Sequence, residues 1–240
     1  MRKPIIGVLA PNYYSNIRPF ENYTKFIDNF SKRIVEAGGI PVGLLFPYGK
    51  FNFDGASLCD GFVIQGGADI SLLGICLIHY AIKNNKPLLG ICLGMQTMAA
   101  YEWVAGNLDD NFSYDDICNF YKDDSKVLKC HDGHNNVDPI YFNNIDLSKH
   151  EVIIDKESRI YKLYNKDIIY VPSLHNQVVI QNILHNKHFK VTGKSNDGVA
   201  EVLESVDPNL WILGTQFHPE LEKENLILFK KLIDEALKRI

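Results

Sequence analysis

Three side chains of this 240-residue chain have the types and settings for nucleophilic displacement at a carbonyl: Cys92, His218 and Glu220. Cys92 lies in Gly90-Ile91-Cys92-Leu93-Gly94, a Gly-x-Cys-x-Gly segment between an apolar run and a helix-forming stretch. Small residues on both sides let the chain turn sharply, so that the side chain between them projects above the carboxyl edge of a sheet, as in the serine version of this elbow. The helix that follows directs unpaired N–H groups at the sulfur and favours its thiolate. An arbitrary cysteine at a strand end is more often a small core residue. The second segment reverses that expectation. Gly214-Thr215-Gln216-Phe217-His218-Pro219-Glu220 follows another apolar run. A histidine and a glutamate one residue apart can reach the same point, the imidazole taking the thiol proton and returning it to a leaving amine while the carboxylate holds the ring.

These residues need a sheet whose strand ends meet. Short apolar runs at Pro4–Ala10, Ile40–Phe46, Gly61–Gln65 and Pro87–Ile91 read as buried strands. Between them, Tyr23, Phe26, Ile27, Phe30, Ile34 and Val35 recur at helical spacing, as do the residues of Ser71–Asn85, and Leu93–Val104 continues as a helix. Alternation of this kind implies βαβ units. From Asn107 to Asp124 the paired aspartates predict a solvated surface excursion. Further on, Val152–Ile154, Ile168–Val171, Phe189–Thr192 and Val199–Leu203 are β-like and should extend or flank the sheet. Trp211–Phe217 is a last strand, and Leu226, Phe229, Ile233, Ala236, Leu237 and Ile240 mark one face of a closing helix. No internal repeat or linker divides residues 1–240, so one domain is expected.

The blocks that carry these elements resemble the class I glutamine amidotransferases, and within them the γ-glutamyl hydrolase branch. They are Tyr23 with Glu36-Ala-Gly-Gly-Ile-Pro-Val42, Cys59-Asp-Gly-Phe-Val-Ile-Gln-Gly-Gly-Ala-Asp69, Lys86-Pro-Leu-Leu-Gly-Ile-Cys-Leu-Gly-Met-Gln96, Val171-Pro-Ser-Leu-His-Asn-Gln177, Asn196-Asp-Gly-Val-Ala-Glu201 and Gly214 to Glu220. The resemblance implies an α/β fold, a flavodoxin-like three-layer sandwich with a mostly parallel central sheet and additional β-strands in the C-terminal half. It implies a cysteine-dependent hydrolase of γ-glutamyl amides working through a thioester on Cys92. An oxyanion needs two donors: Leu93 N–H supplies one by its position after the nucleophile, and the resemblance points to Gly67 for the other. Gln96, one helical turn beyond Cys92, is expected to touch the glutamyl group, and Ser173, His175 and Gln177 to form a second pocket wall. The branch often carries arginine after the nucleophile, where this chain has Leu93. The stretch from Asp69 to His79 is also short for the branch, which points to a wider or differently walled pocket.

Composition closes off other classes. Hydrophobic residues make up 46% and charged residues 22%, and the formal charge is -4, so no basic field gathers nucleic acid or an anionic membrane. No apolar run has the length of a membrane span, and the start of the sequence lacks a secretory pattern, so the cytoplasm is the expected compartment. Five cysteines at irregular spacing imply free thiols. No cofactor is expected. Cys130, His131 and His134 hint at zinc, but no second ligand pair stands at the usual spacing, so no metal is expected; His134 and Val137 read instead as part of a strand near the pocket. The partners in view are a small γ-glutamyl substrate and either a homodimer mate or a synthase. The main rival function is a glutaminase subunit that delivers ammonia to a separate synthase. A binding module that keeps the fold would have no use for thiol, base and acid together.

Overall fold

A computed structural model describes residues 2–13, 23–135 and 144–240. The apolar runs become β1 (Ile5–Leu9), β4 (Ile40–Gly43), β5 (Gly61–Ile64) and β6 (Leu88–Ile91), with the short β2 (Asn12–Tyr13) and β3 (Tyr23–Thr24) after β1. The helices between them are α1 (Asp28–Glu36), α2 (Phe53–Ser57), α3 (Leu72–Lys83) and α4 (Leu93–Asn107). Then come α5 (Tyr114–Phe120), β7 (Leu128–Cys130), β8 (Lys149–Ile154), α6 (Arg159–Tyr164), β9 (Ile168–Pro172), β10 (Gln177–Val179), β11 (Phe189–Ser195), β12 (Ala200–Ser205), β13 (Ile212–Thr215) and α7 (Leu226–Leu237).

Among the described residues nine strands form one sheet in the order β4-β1-β5-β6-β13-β12-β11-β8-β9. The pairs from β4 through β13 are parallel, and those from β13 to β9 antiparallel. The expected α/β architecture is therefore present, with the extra strands of the C-terminal half continuing the same sheet. Successive residues of the inner strands face opposite sides: Phe62 and Leu88 join a core with α3, α4 and α5, whereas Val63 and Leu89 join one with α1 and α7. All four are fully buried, and each such side chain contributes roughly 1.5–3 kcal/mol. Two cores on two faces make the three layers.

Four local expectations need correction. The helix after β1 starts at Asp28 rather than near Tyr23. The Gln65 amide brackets the backbone just before it, donating to Lys25 O at 2.7 Å and accepting from Ile27 N at 3.3 Å, so these residues are spent on a tertiary contact. The acidic stretch contains α5, closed by a capping box in which Ser113 and Asp116 each bond the other's backbone N–H. In α7 the buried face runs through Leu228, Phe229, Leu232, Ile233 and Ala236, while Ile240 is exposed. Strand β7 stops at Cys130, and His134 lies beyond it beside an isolated bridge between Asn135 and Leu174; Val137 is outside the described residues.

Candidate active site

Cys92 follows β6 and caps α4 with φ +54° and ψ −105°, a conformation that L residues with a Cβ rarely adopt. Its own N–H donates to Thr215 O at 2.7 Å and its carbonyl accepts from Gln96 N at 3.1 Å, so a parallel strand and a helix hold the turn from both ends. The flanking glycines are sterically required. A Cβ at Gly90 would lie 2.7 Å from the Gly94 backbone, and one at Gly94 would collide with Ile64 O.

Strand β13 lies beside β6 in parallel register, Thr215 opposite Ile91, so the residues that follow β13 emerge next to the elbow. His218 Nδ1 and Glu220 Oε1 are 2.7 Å apart. Among the described residues His218 Nε2 makes no hydrogen bond. Burial pushes the imidazolium toward losing its proton, but the Glu220 carboxylate and the Cys92 sulfur outweigh burial and hold the His218 pKa well above the ordinary histidine value. Cys92 and His218 flank one spot: a Cβ at Gly66 would stand 3.2 Å from His218 Cε1, 3.5 Å from Cys92 Cβ and 3.9 Å from Cys92 Sγ, so only glycine leaves that spot open. Gly67 is just outside it, hemmed by Pro11 and the Leu93 side chain.

Several residues that position the site are not evident from the sequence. The fully buried Gln216 places its Nε2 3.7 Å from Cys92 Sγ, while its Oε1 accepts from Gln96 Nε2 at 3.2 Å. Gln96 also donates to Gln177 O at 2.9 Å, so its amino group is committed and its carbonyl oxygen alone is left for a ligand. Arg33, buried in α1, donates from Nε to Glu220 O at 3.0 Å and ion-pairs with Glu36, fixing the turn that carries the acid. His218 N–H donates to Pro172 O. The predicted wall residues divide. Gln177 enters through its carbonyl, whereas Ser173 donates its hydroxyl to His134 O at 2.8 Å and His175 turns its Nε2 toward His134 and Glu201. Asp69 leads at once into α3, capped by Ser71, and a cavity of about 460 Å³ lies there, lined in part by Pro11, Ala68, Asp69 and Ser71.

The Peptidase C26 family model matches residues 72–220, a stretch that runs from α3 to the acid after β13 and includes Cys92, His218 and Glu220. The chain belongs to the peptidase C26 family. Peptidase C26 membership and the fold place it among hydrolases of the class I glutamine amidotransferase type. Protein NtpR of Enterococcus hirae is 27% identical over 91% of this chain and 91% of its own length. CTP synthase of Buchnera aphidicola is 32% identical over 70% of this chain, which spans only 33% of that enzyme. Among solved structures, the glutaminase domain of Trypanosoma brucei CTPS with bound acivicin superposes with a TM-score of 0.67 at 17% identity, covering 98% of this chain and 94% of that one. That likeness establishes the fold of this C26 chain. Among the described residues no helix is long and apolar enough to cross a membrane.

Proposed function

We propose that this peptidase C26 protein hydrolyses γ-glutamyl amides through a thioester on Cys92. The observation that carries the reading is the strained elbow at Cys92 beside an imidazole bonded to Glu220. The thiolate attacks the γ-carbonyl carbon, and the carbonyl π electrons move onto oxygen, which the N–H groups of Leu93 and Gly67 receive. On collapse the C–N bond breaks, His218 gives its proton to the amine, and a γ-glutamyl thioester remains. Water then loses a proton to His218 Nε2 and attacks the thioester; glutamate departs and the thiolate–imidazolium pair is restored. Gln96 Oε1 and the Gln177 segment grip the glutamyl end. Residues 1–240 act as a single domain in the cytoplasm, without a cofactor.

The protein, incubated with glutamine and a panel of γ-glutamyl amines, is expected to release glutamate fastest from one of the amines with no second protein present. Turnover of glutamine alone, rising when a synthase is added, would favour a glutaminase subunit. The similarity to CTP synthase, matched over a third of that enzyme's length, supports this second reading.

The His218 environment sets the pH profile. Glu220 raises the imidazolium pKa, so removing its charge must lower it. The proton needed by the leaving amine is lost once pH passes that pKa. Glu220→Gln should therefore shift the alkaline limb of kcat/KM to lower pH, besides reducing its maximum. A limb that stays in place would mean that Glu220 does not govern the ring.

A further inference from the structure

At the Ser173–Gln177 wall, three segments bring imidazoles to one carboxylate on a fourth. Glu201, on β12, is fully buried, and its Oε1 stands 3.3 Å from His134 Nδ1, 3.5 Å from His150 Nε2 and 3.5 Å from His175 Nε2. Among the described residues neither oxygen of Glu201 makes a hydrogen bond, and neither does His150 Nε2. A buried carboxylate is costly by several kcal/mol unless its charge is answered, and the three imidazoles can answer it only by carrying protons or by sharing a cation.

The outer nitrogens show which. His175 Nδ1 is 3.1 Å from Gln177 O, and a carbonyl only accepts, so that nitrogen bears the ring's proton. His134 Nε2 is 3.0 Å from the Asp197 carboxylate and bears a proton for the same reason. The inner nitrogens, His134 Nδ1 and His175 Nε2, are then lone pairs, yet they lie 3.2 Å apart and face the same oxygen of Glu201. One extra proton on His134 Nδ1 would reach both His175 Nε2 at 3.2 Å and Glu201 Oε1 at 3.3 Å, but not His150 Nε2. A cation at the centre meets all of them. Four ligands about 2.1 Å from a tetrahedral metal stand about 3.4 Å from one another; four of the six separations in this set lie between 3.2 and 3.5 Å, and the ligand atoms of His134, His150 and Glu201 all lie within 4.8 Å of one another. Outer-nitrogen bonds to a carboxylate and a backbone carbonyl are also what orient metal-bound imidazoles.

We infer that His134, His150, His175 and Glu201 bind a divalent metal of the zinc class, since imidazole nitrogens with one carboxylate suit such ions. The ion ties the segment after β7, β8, the loop before β10 and β12 into one unit. Gln177 O accepts from both His175 and Gln96, so the metal stiffens the wall next to Cys92 without entering the chemistry.

The test is titration of the chelator-treated protein with Co²⁺. One ion per chain is expected, with the visible absorption of four-coordinate cobalt and no thiolate-to-cobalt charge-transfer band, displaced by Zn²⁺. His150→Ala and Glu201→Gln should each weaken binding by about tenfold or more, and Cys92→Ala should not. Because His150 is at the edge of the cluster, its side chain 20% exposed, that variant serves if Glu201→Gln does not fold. Absence of cobalt binding, binding untouched by His150→Ala, or a thiolate band would each overturn the assignment. No substrate enters these measurements, so their outcome is independent of the γ-glutamyl reading.

Discussion

Cys92→Ala is expected to reduce kcat on the best γ-glutamyl substrate by about 10⁴- to 10⁶-fold, the usual range when a covalent nucleophile is removed and the rest of the site stays. The variant keeps Gly90, Gly94 and the hydrogen bonds at both ends of the turn, so its fold should be unchanged. It also keeps the His218–Glu220 pair, but no atom remains to form a thioester. Glutamate release measures the loss, and peptide mapping after iodoacetamide treatment gives an independent reading. Cys118 and Cys130 are exposed and Cys92 is buried, so labelling is compared by rate with and without ligand; only labelling of Cys92 should be slowed by a glutamyl compound. A variant with more than about one-hundredth of normal turnover would place the nucleophile elsewhere.

Glu102→Ala should have the largest effect on stability, about 3–5 kcal/mol. The Glu102 carboxylate is fully buried on α4 and accepts three backbone N–H groups, those of Lys187, His188 and Phe189, at 2.6, 2.9 and 3.0 Å. Each donor left without a partner costs about 1–3 kcal/mol, less where water can reach it. Lys187 and His188 are near the surface and recover part of that cost; Phe189, fully buried, does not. Since domains have stabilities of about 5–15 kcal/mol, this one replacement takes a large share. Urea unfolding would show a lower midpoint, with Glu102→Gln between the variant and the parent because its amide keeps one acceptor. A loss below about 1 kcal/mol would mean that water reaches all three donors.

Glu102 also marks where sequence reading stops. The stretch after Cys92 reads as an apolar helix, and the single carboxylate within it carries no local sign that it will meet the start of β11. The elbow is legible because its steric demands fall on adjacent residues: glycine at 90 and 94 admits one backbone course. The pairing of His218 with Glu220 is legible for the same reason, as only Pro219 separates them. Strands β1, β5 and β6 are legible because burial on both faces leaves uninterrupted apolar runs. By contrast, Arg33 acts on Glu220 across 187 positions and Gln216 on Cys92 across 124, distances at which residue type says nothing about contact. The histidine cluster was hidden in the same way, its four members coming from separate segments. For α5 a local signal did exist, the Ser113 and Asp116 pair, but the surrounding acidity made it look like plain solvation.

The sheet order has a consequence for biosynthesis. The strand between β6 and β12 is β13, the last of the described strands to be synthesised. A nascent chain that ends before Trp211 has two unpaired strand edges where the molecule should be continuous, and such edges are prone to pair with other chains. It also lacks His218, the proposed base. On the proposed mechanism, chemical competence arrives in the same late step that closes the sheet, and a ribosome-bound fragment carries the hazard of sticking before it gains the capacity to react.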